Sequence, residues 1–155
     1  MSDLSDLLSD KAIDADLVAA NKKGLFQQLA SAAAKRTGLP AKTIAAGLNA
    51  REKIGSTGFG GGTAIPHAKI DGLGEVVGYF ARLETPLDFQ SVDNMPVDLV
   101  FLLLSPTDAG AEHLKALARV SRIFRDAQIV AKLRGARSRD AIYALLAGGE
   151  TRDAA

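Results

Sequence analysis

The sequence predicts an α/β fold, a single domain with a β-sheet between helical layers. Two observations carry that prediction. Helical and strand patterns interleave along the chain instead of separating into blocks, and the run Leu99 to Leu104 is continuously apolar. An unbroken apolar run of that length reads as a strand covered on both faces. The 155 residues fit one domain, a size that buries roughly 68–70% of the unfolded chain's surface. No internal repeat or low-complexity linker divides it.

Taken in order, the elements begin at Asn21, a helix N-cap, after which Leu25, Leu29 and Ala32 share a face until Gly38 stops the helix. Pro40 opens a second helix whose Ile44, Leu48 and Arg51 align. Gly55 to Gly62 is too glycine-rich for helix and reads as a loop. Thr63-Ala64-Ile65 is a short strand leading to Pro66-His67. Glu75 to Glu84 alternates, with Val77, Tyr79, Ala81 and Leu83 on one face of a strand. The strand Asp98–Leu104 follows, then the loop Ser105-Pro106-Thr107-Asp108 and a long helix from about Ala111 to Arg125. One or two further helices fill 127–147, and the tail from Gly148 is expected to be loose.

Composition removes several functions. Apolar residues make up 47% and charged residues 24%, which argues against disorder. Nineteen basic against eighteen acidic residues leave +1, too little to draw the chain to nucleic acid or an anionic membrane. The chain lacks cysteine, which excludes disulfides, thiol catalysis and Cys-ligated metals. Two histidines are too few for a His-rich metal site, so neither metal nor cofactor is expected. The acidic start lacks a signal-peptide pattern, and the longest apolar run falls far short of the ~20 residues of a membrane span. A soluble, cytoplasmic protein is expected. Charge is uneven: residues 111–140 carry eight Lys/Arg against three acids. Without interleaved aromatics that stretch reads as solvated helix faces.

The most informative segment runs from Gly55 to His67, with five glycines in its first eight positions. Gly58, Gly60, Gly61 and Gly62 could let backbone N–H groups approach an anion without obstruction. The spacing is not a Rossmann fingerprint, and the Lys-Ser/Thr ending of a nucleotide P-loop is missing. The alternative is that the glycines only make tight turns and His67 packs at a strand end. His113 falls in the first turn of the long helix, with Leu117, Val120 and Phe124 each within about 40° of it at 100° per residue. That puts it beyond the carboxyl end of the apolar strand, where open α/β sheets bind ligands; a hydrogen-bonded core histidine is the other reading. Arg51 is a snorkelling helix residue or part of the same site. An anion-friendly loop, two histidines and an arginine together suit phosphate handling.

Arg51-Glu52-Lys53-Ile54-Gly55-Ser56-Thr57-Gly58-Phe59-Gly60, continuing through Ala64-Ile65-Pro66-His67-Ala68-Lys69, closely resembles the active-site signature of the mannitol/fructose-type IIA component of the bacterial phosphotransferase system. The similarity is greatest to the nitrogen-regulatory branch. It extends through Val92–Leu99 and Ala111–Lys115 and covers about residues 4 to 147, within one IIA domain over 1–155. The family often carries Asn where Gly61 stands. The resemblance implies a three-layer α/β/α sandwich around a mixed sheet. It implies that His67 accepts a phosphoryl group from an HPr-like carrier (NPr in this branch), with His113 and Arg51 beside it. It further implies regulatory targets such as sensor kinases or potassium transport systems. Two alternatives stand beside this: a sugar-type IIA passing phosphate to a IIB domain, and a binding module of the same fold that takes no phosphate. A neutral imidazole is a good nucleophile near pH 7, and in-line transfer asks the protein mainly for positioning and charge stabilisation. Phe59 and Ile65-Pro66 are expected to give a carrier its apolar contact.

Overall fold

The computed structural model describes residues 4–9 and 11–148. Strand β1 (Ile13–Leu17) is followed by helices α1 (Lys22–Thr37) and α2 (Ala41–Ile54). Three short strands come next: β2 (Gly58–Gly60), β3 (Thr63–Ala64) and β4 (His67–Ile70). The long strands β5 (Val77–Leu87) and β6 (Val97–Pro106) lead into α3 (Ala111–Arg125), α4 (Ala127–Gly135) and α5 (Arg139–Leu146). The expected helices are all present, with two in the 127–147 stretch. Asn21 caps α1 by accepting from the Gly24 N–H at 2.7 Å. Gly38, at φ 79°, closes it.

The sheet is mixed and six-stranded, in the order β1-β5-β6-β3-β2, with β4 also on β6. Strands β3 and β4 lie end to end along one side of β6, both parallel to it, while β5 runs antiparallel on the other side. The β6 pleat supplies both halves of the core. Leu99, Phe101 and Leu103 pack under α3, α4 and α5; Val100, Leu102 and Leu104 pack under α1 and α2. The continuous apolar run thus has the predicted cause, and the fold is the three-layer sandwich.

Four details differ from expectation. Strands β1 and β4 were not foreseen: at five and four residues, their alternation of Asp14, Asp16 or Lys69 with apolar residues is too short to stand out. The glycine stretch is not a plain loop, since β2 pairs antiparallel with β3. The buried stripe of α1 is Leu25, Phe26, Leu29, Ala30 and Ala33, leaving Ala32 half-buried. Strand β5 is covered on both faces, because Phe80 joins one core cluster and Ala81 the other. At the C-terminal end Gly148 is buried, with its N–H on the Leu145 carbonyl at 3.3 Å. The rest of the expected loose tail, from 149 onward, lies outside the described residues.

Candidate active site

Strand β4 begins at His67, and its pleat decides where the imidazole goes. Ala68 and Ile70 face the α1–α2 core, so His67 and Lys69 alternate toward the α3 side. His67 is in register with Leu103 of β6, and Lys69 with Ser105. Pro66 separates β3 from β4, and its carbonyl accepts from the Leu103 N–H at 2.9 Å. The second histidine arrives from the opposite direction. His113 sits in the first turn of α3 and its ring centroid lies 5.6 Å from that of His67, tilted by 51°. The third residue comes from the other helical layer: Arg51, in the last turn of α2, donates from Nε to Nε2 of His67 at 3.2 Å. Its Nη1 also donates to the Gly55 carbonyl at 2.8 Å, tying the arginine to its own helix end. Three residues that the sequence placed 16 and 46 positions apart are thus brought together around one imidazole.

The hydrogen bonds settle the state of that imidazole. Nδ1 of His67 is 2.7 Å from the Ile65 carbonyl oxygen. A carbonyl only accepts, so Nδ1 carries the proton. Nε2 then holds the lone pair that receives the Arg51 N–H. Burial pushes the His67 pKa below the ordinary histidine value, and the Arg51 charge adds to this; the Ile65 carbonyl and Glu52 pull the other way. His113 is lowered as well, first by burial and then by the charges of His67 and Lys69. Both rings are therefore neutral near pH 7, with an unprotonated Nε2 on His67 beside a guanidinium.

The glycine hairpin is built differently. Gly60, Gly61 and Gly62 have φ of 106°, 64° and 81°, a backbone region that side chains rarely enter. Asn is among the few larger residues that tolerate it, and a Cβ at Gly61 would meet only open space. The turn thus accounts for either Gly or Asn at that position. Gly58 is dictated by packing: a Cβ there would collide with the Ser91 hydroxyl and lie 2.9 Å from the Ser91 Cβ. Two of the four N–H groups expected to face an anion are already engaged. The Gly58 N–H donates to Ser56 Oγ at 3.0 Å, and the Gly61 N–H donates to Asp93 Oδ2 at 2.9 Å. Hydrogen bonds from Gly61 and Met95 hold the Asp93 carboxyl below the usual carboxylate range. From α4, Arg134 grips Asp98 through Nε and Nη2 and donates to the Gly61 carbonyl at 2.8 Å.

Other supporting residues escaped the sequence reading. Glu52, next to Arg51, accepts from Lys22 Nζ at 2.8 Å and from the Thr57 N–H and hydroxyl at 3.0 and 2.6 Å. With side chains only 9% and 18% exposed, Glu52 and Lys22 form a largely desolvated pair that joins α1, α2 and the hairpin. A Glu at the end of a helix, five residues before a Thr, carries no signal of this. Ser105 also lies in the site, 2.6 Å from His113 Nδ1. One expectation is corrected: Ile65 and Pro66 are buried and cannot offer a partner apolar contact. Phe59, at 37% exposure, can, and so can Ile54 at 84% and Leu114 at 67%.

The model of one protein family, described as the phosphoenolpyruvate-dependent sugar phosphotransferase system, EIIA 2, matches residues 6–148. The chain belongs to this family. Among its relatives, the nitrogen regulatory protein of Bradyrhizobium diazoefficiens is 49% identical over 144 residues, 93% of this chain and 94% of that one. The nitrogen regulatory protein of Escherichia coli K12 is 38% identical over 149 residues, 95% of this chain and 91% of that one. The crystal structure of nitrogen regulatory protein IIA-Ntr from Neisseria meningitidis superposes with a TM-score of 0.88 at 34% identity, covering 92% of this chain and 98% of that one. The EIIA chain described here is therefore similar to the nitrogen-regulatory members in sequence and in fold. No helix among its described residues is long and apolar enough to cross a membrane.

Proposed function

We propose that this EIIA protein is a phosphohistidine carrier and regulator of the nitrogen-type phosphotransferase system. Its His67 takes a phosphoryl group from the phosphohistidine of an HPr-like carrier (NPr), and its phosphorylation state selects the targets it binds. The observation that carries the reading is the unprotonated Nε2 of His67, held by the Ile65 carbonyl on one side and facing Arg51 on the other. In the step, the Nε2 lone pair attacks phosphorus and the N–P bond of the carrier's histidine breaks in line with it. The His67 ring gains positive charge, and its Nδ1–H stays on the Ile65 carbonyl, which stabilises that charge. Arg51 gives up its bond to the lone pair and turns its N–H groups to the phosphoryl oxygens, a contact made only as the group arrives. His113, across the 5.6 Å ring-to-ring gap, supplies a second donor.

The phosphoryl oxygens are given to Arg51 and His113 before the glycines, because the Gly58 and Gly61 N–H groups would first have to leave Ser56 and Asp93. The hairpin's part is to wall the site. Ile54 at the end of α2, Phe59 on the hairpin and Leu114 beside His113 would form the apolar rim against which a carrier docks over a small transient interface. The nitrogen regulatory relatives support a regulatory carrier over a sugar-type IIA. Such a protein would act on targets such as sensor kinases or potassium transport systems.

The test is intact-mass spectrometry after incubation with enzyme I, an HPr-type carrier and phosphoenolpyruvate. Wild type should gain one phosphoryl group, about 80 Da, and His67→Ala none. A labelled His67→Ala protein, or an unlabelled wild type, would end the proposal.

A further inference from the structure

Ser105 stands in β6 with no exposed surface, two residues past the Leu103 that is in register with His67. Its hydroxyl oxygen lies 2.6 Å from Nδ1 of His113, a residue itself 7% exposed. A serine hydroxyl can donate or accept, and an imidazole nitrogen can do either according to its tautomer. Burial separates the two cases. If Nδ1–H donated to Oγ, the hydroxyl hydrogen would need another acceptor inside the core. Among the described residues the Ser105 side chain has His113 as its partner and no other. Leaving a buried donor unmade is costly, whereas O–H donating to a bare Nδ1 satisfies both groups.

We infer that Ser105 is a positioning residue for phosphoryl transfer: its O–H donates to Nδ1 of His113 and holds that ring as the Nε2–H tautomer. The two neighbouring imidazoles are then fixed in opposite states. His67, with its proton on Nδ1, presents a lone pair at Nε2. His113, with its proton on Nε2, presents a donor. One is prepared to attack phosphorus and the other to bind an oxygen of the group delivered. The devices that fix them also differ. His67 is set by a backbone carbonyl two residues back, just before its strand begins; His113 is set by a side chain from a different element. Ser105 also limits rotation of the His113 ring, since a tilted ring would lose this bond at Nδ1.

The kinetic half of this inference rests on the phosphoryl-acceptor reading of His67; the tautomer half does not. Long-range 1H–15N imidazole correlations on unphosphorylated wild type at pH 7.5 should place the proton on Nδ1 of His67 and on Nε2 of His113. A proton on Nδ1 of His113 overturns the inference, whatever the protein does with phosphate. In transfer from the phosphorylated carrier, Ser105→Ala should be slower by roughly ten-fold, the lower end of the loss seen when a group that orients a metal-bound imidazole is removed. Ser105→Thr, which keeps the hydroxyl, should recover most of the rate. An alanine variant as fast as wild type, or a threonine variant as slow as alanine, refutes the positioning role. If wild type accepts no phosphate, the function proposed for His67 fails while the NMR experiment still decides the tautomer.

Discussion

The two short strands that share one side of β6 make an instructive pair. At the β3 end, beside Leu99 and Val100, the glycine hairpin is closed on itself. Its Gly58 and Gly61 N–H groups are bonded to Ser56 and Asp93, its Gly61 carbonyl to Arg134, and its Gly58 fits against Ser91 with no room for a Cβ. At the β4 end, beside Leu103 to Pro106, two imidazoles and a guanidinium meet, and the unprotonated Nε2 of His67 accepts from Arg51. Glycine richness suggested that the first region would hold the anion. Polar groups already bonded within the protein are poor candidates for a ligand, and the chemistry concentrates where a lone pair is kept accessible beside positive charge. The hairpin makes the frame and β4 carries the proposed phosphoryl acceptor.

Removing one participant from the reactive end should produce the largest effect. Arg51→Ala is expected to slow transfer from the phosphorylated carrier by about 100-fold, the loss typical of one electrostatic donor, or about 2.7 kcal/mol of barrier. Its urea midpoint should stay near that of wild type, because Arg51 is half-buried and its hydrogen bonds among the described residues go to His67 and a helix-end carbonyl. Rapid-quench kinetics alongside urea titration check both halves, and a variant that transfers normally breaks the contrast. The frame should behave in the opposite way. Gly58→Ala forces a Cβ into Ser91 and is expected to lose about 1–3 kcal/mol of stability, as overpacking does. Ser91→Gly in the same chain should restore most of that loss. If it does not, the closed packing of the hairpin is not what demands glycine.

The smallest effect is the dependence on pH. Both histidines have folded-state pKa values below the ordinary 6.5, chiefly through burial. The unfolded chain then binds protons more readily than the native one as pH falls. Their contribution to stability is fully present above pH 6.5 and is lost as pH drops from there through the folded values. Urea midpoints should be flat from pH 7 to 8 and decline below 6.5, and the decline should be shallower in His67→Gln. Transfer should hold its rate below pH 6.5, since the accepting Nε2 stays unprotonated there. A rate that already halves at 6.5 would show that burial does not protect the lone pair.

Much of this was legible from the residues themselves. The α/β class followed from interleaved periods and from the apolar run at Leu99–Leu104, because burial of a strand on both faces writes itself into sequence as uninterrupted hydrophobicity. The bounds of α1 and α3 followed from capping and from the 3.6-residue period, which are local properties. Membership of the family was carried by the Arg51–Lys69 signature. Strands β1 and β4 were not legible, since they are only five and four residues long and their strand state comes from pairing with β5 and β6. Nor could the chain order reveal that Arg51 would reach His67 from the opposite helical layer, or that Ser105 would lie under His113. Sequence alone determined which groups can act as nucleophile, donor and cation. Tertiary structure decided which nitrogen bears a proton, because that depends on acceptors and donors brought within 3 Å by strands and helices far apart along the chain.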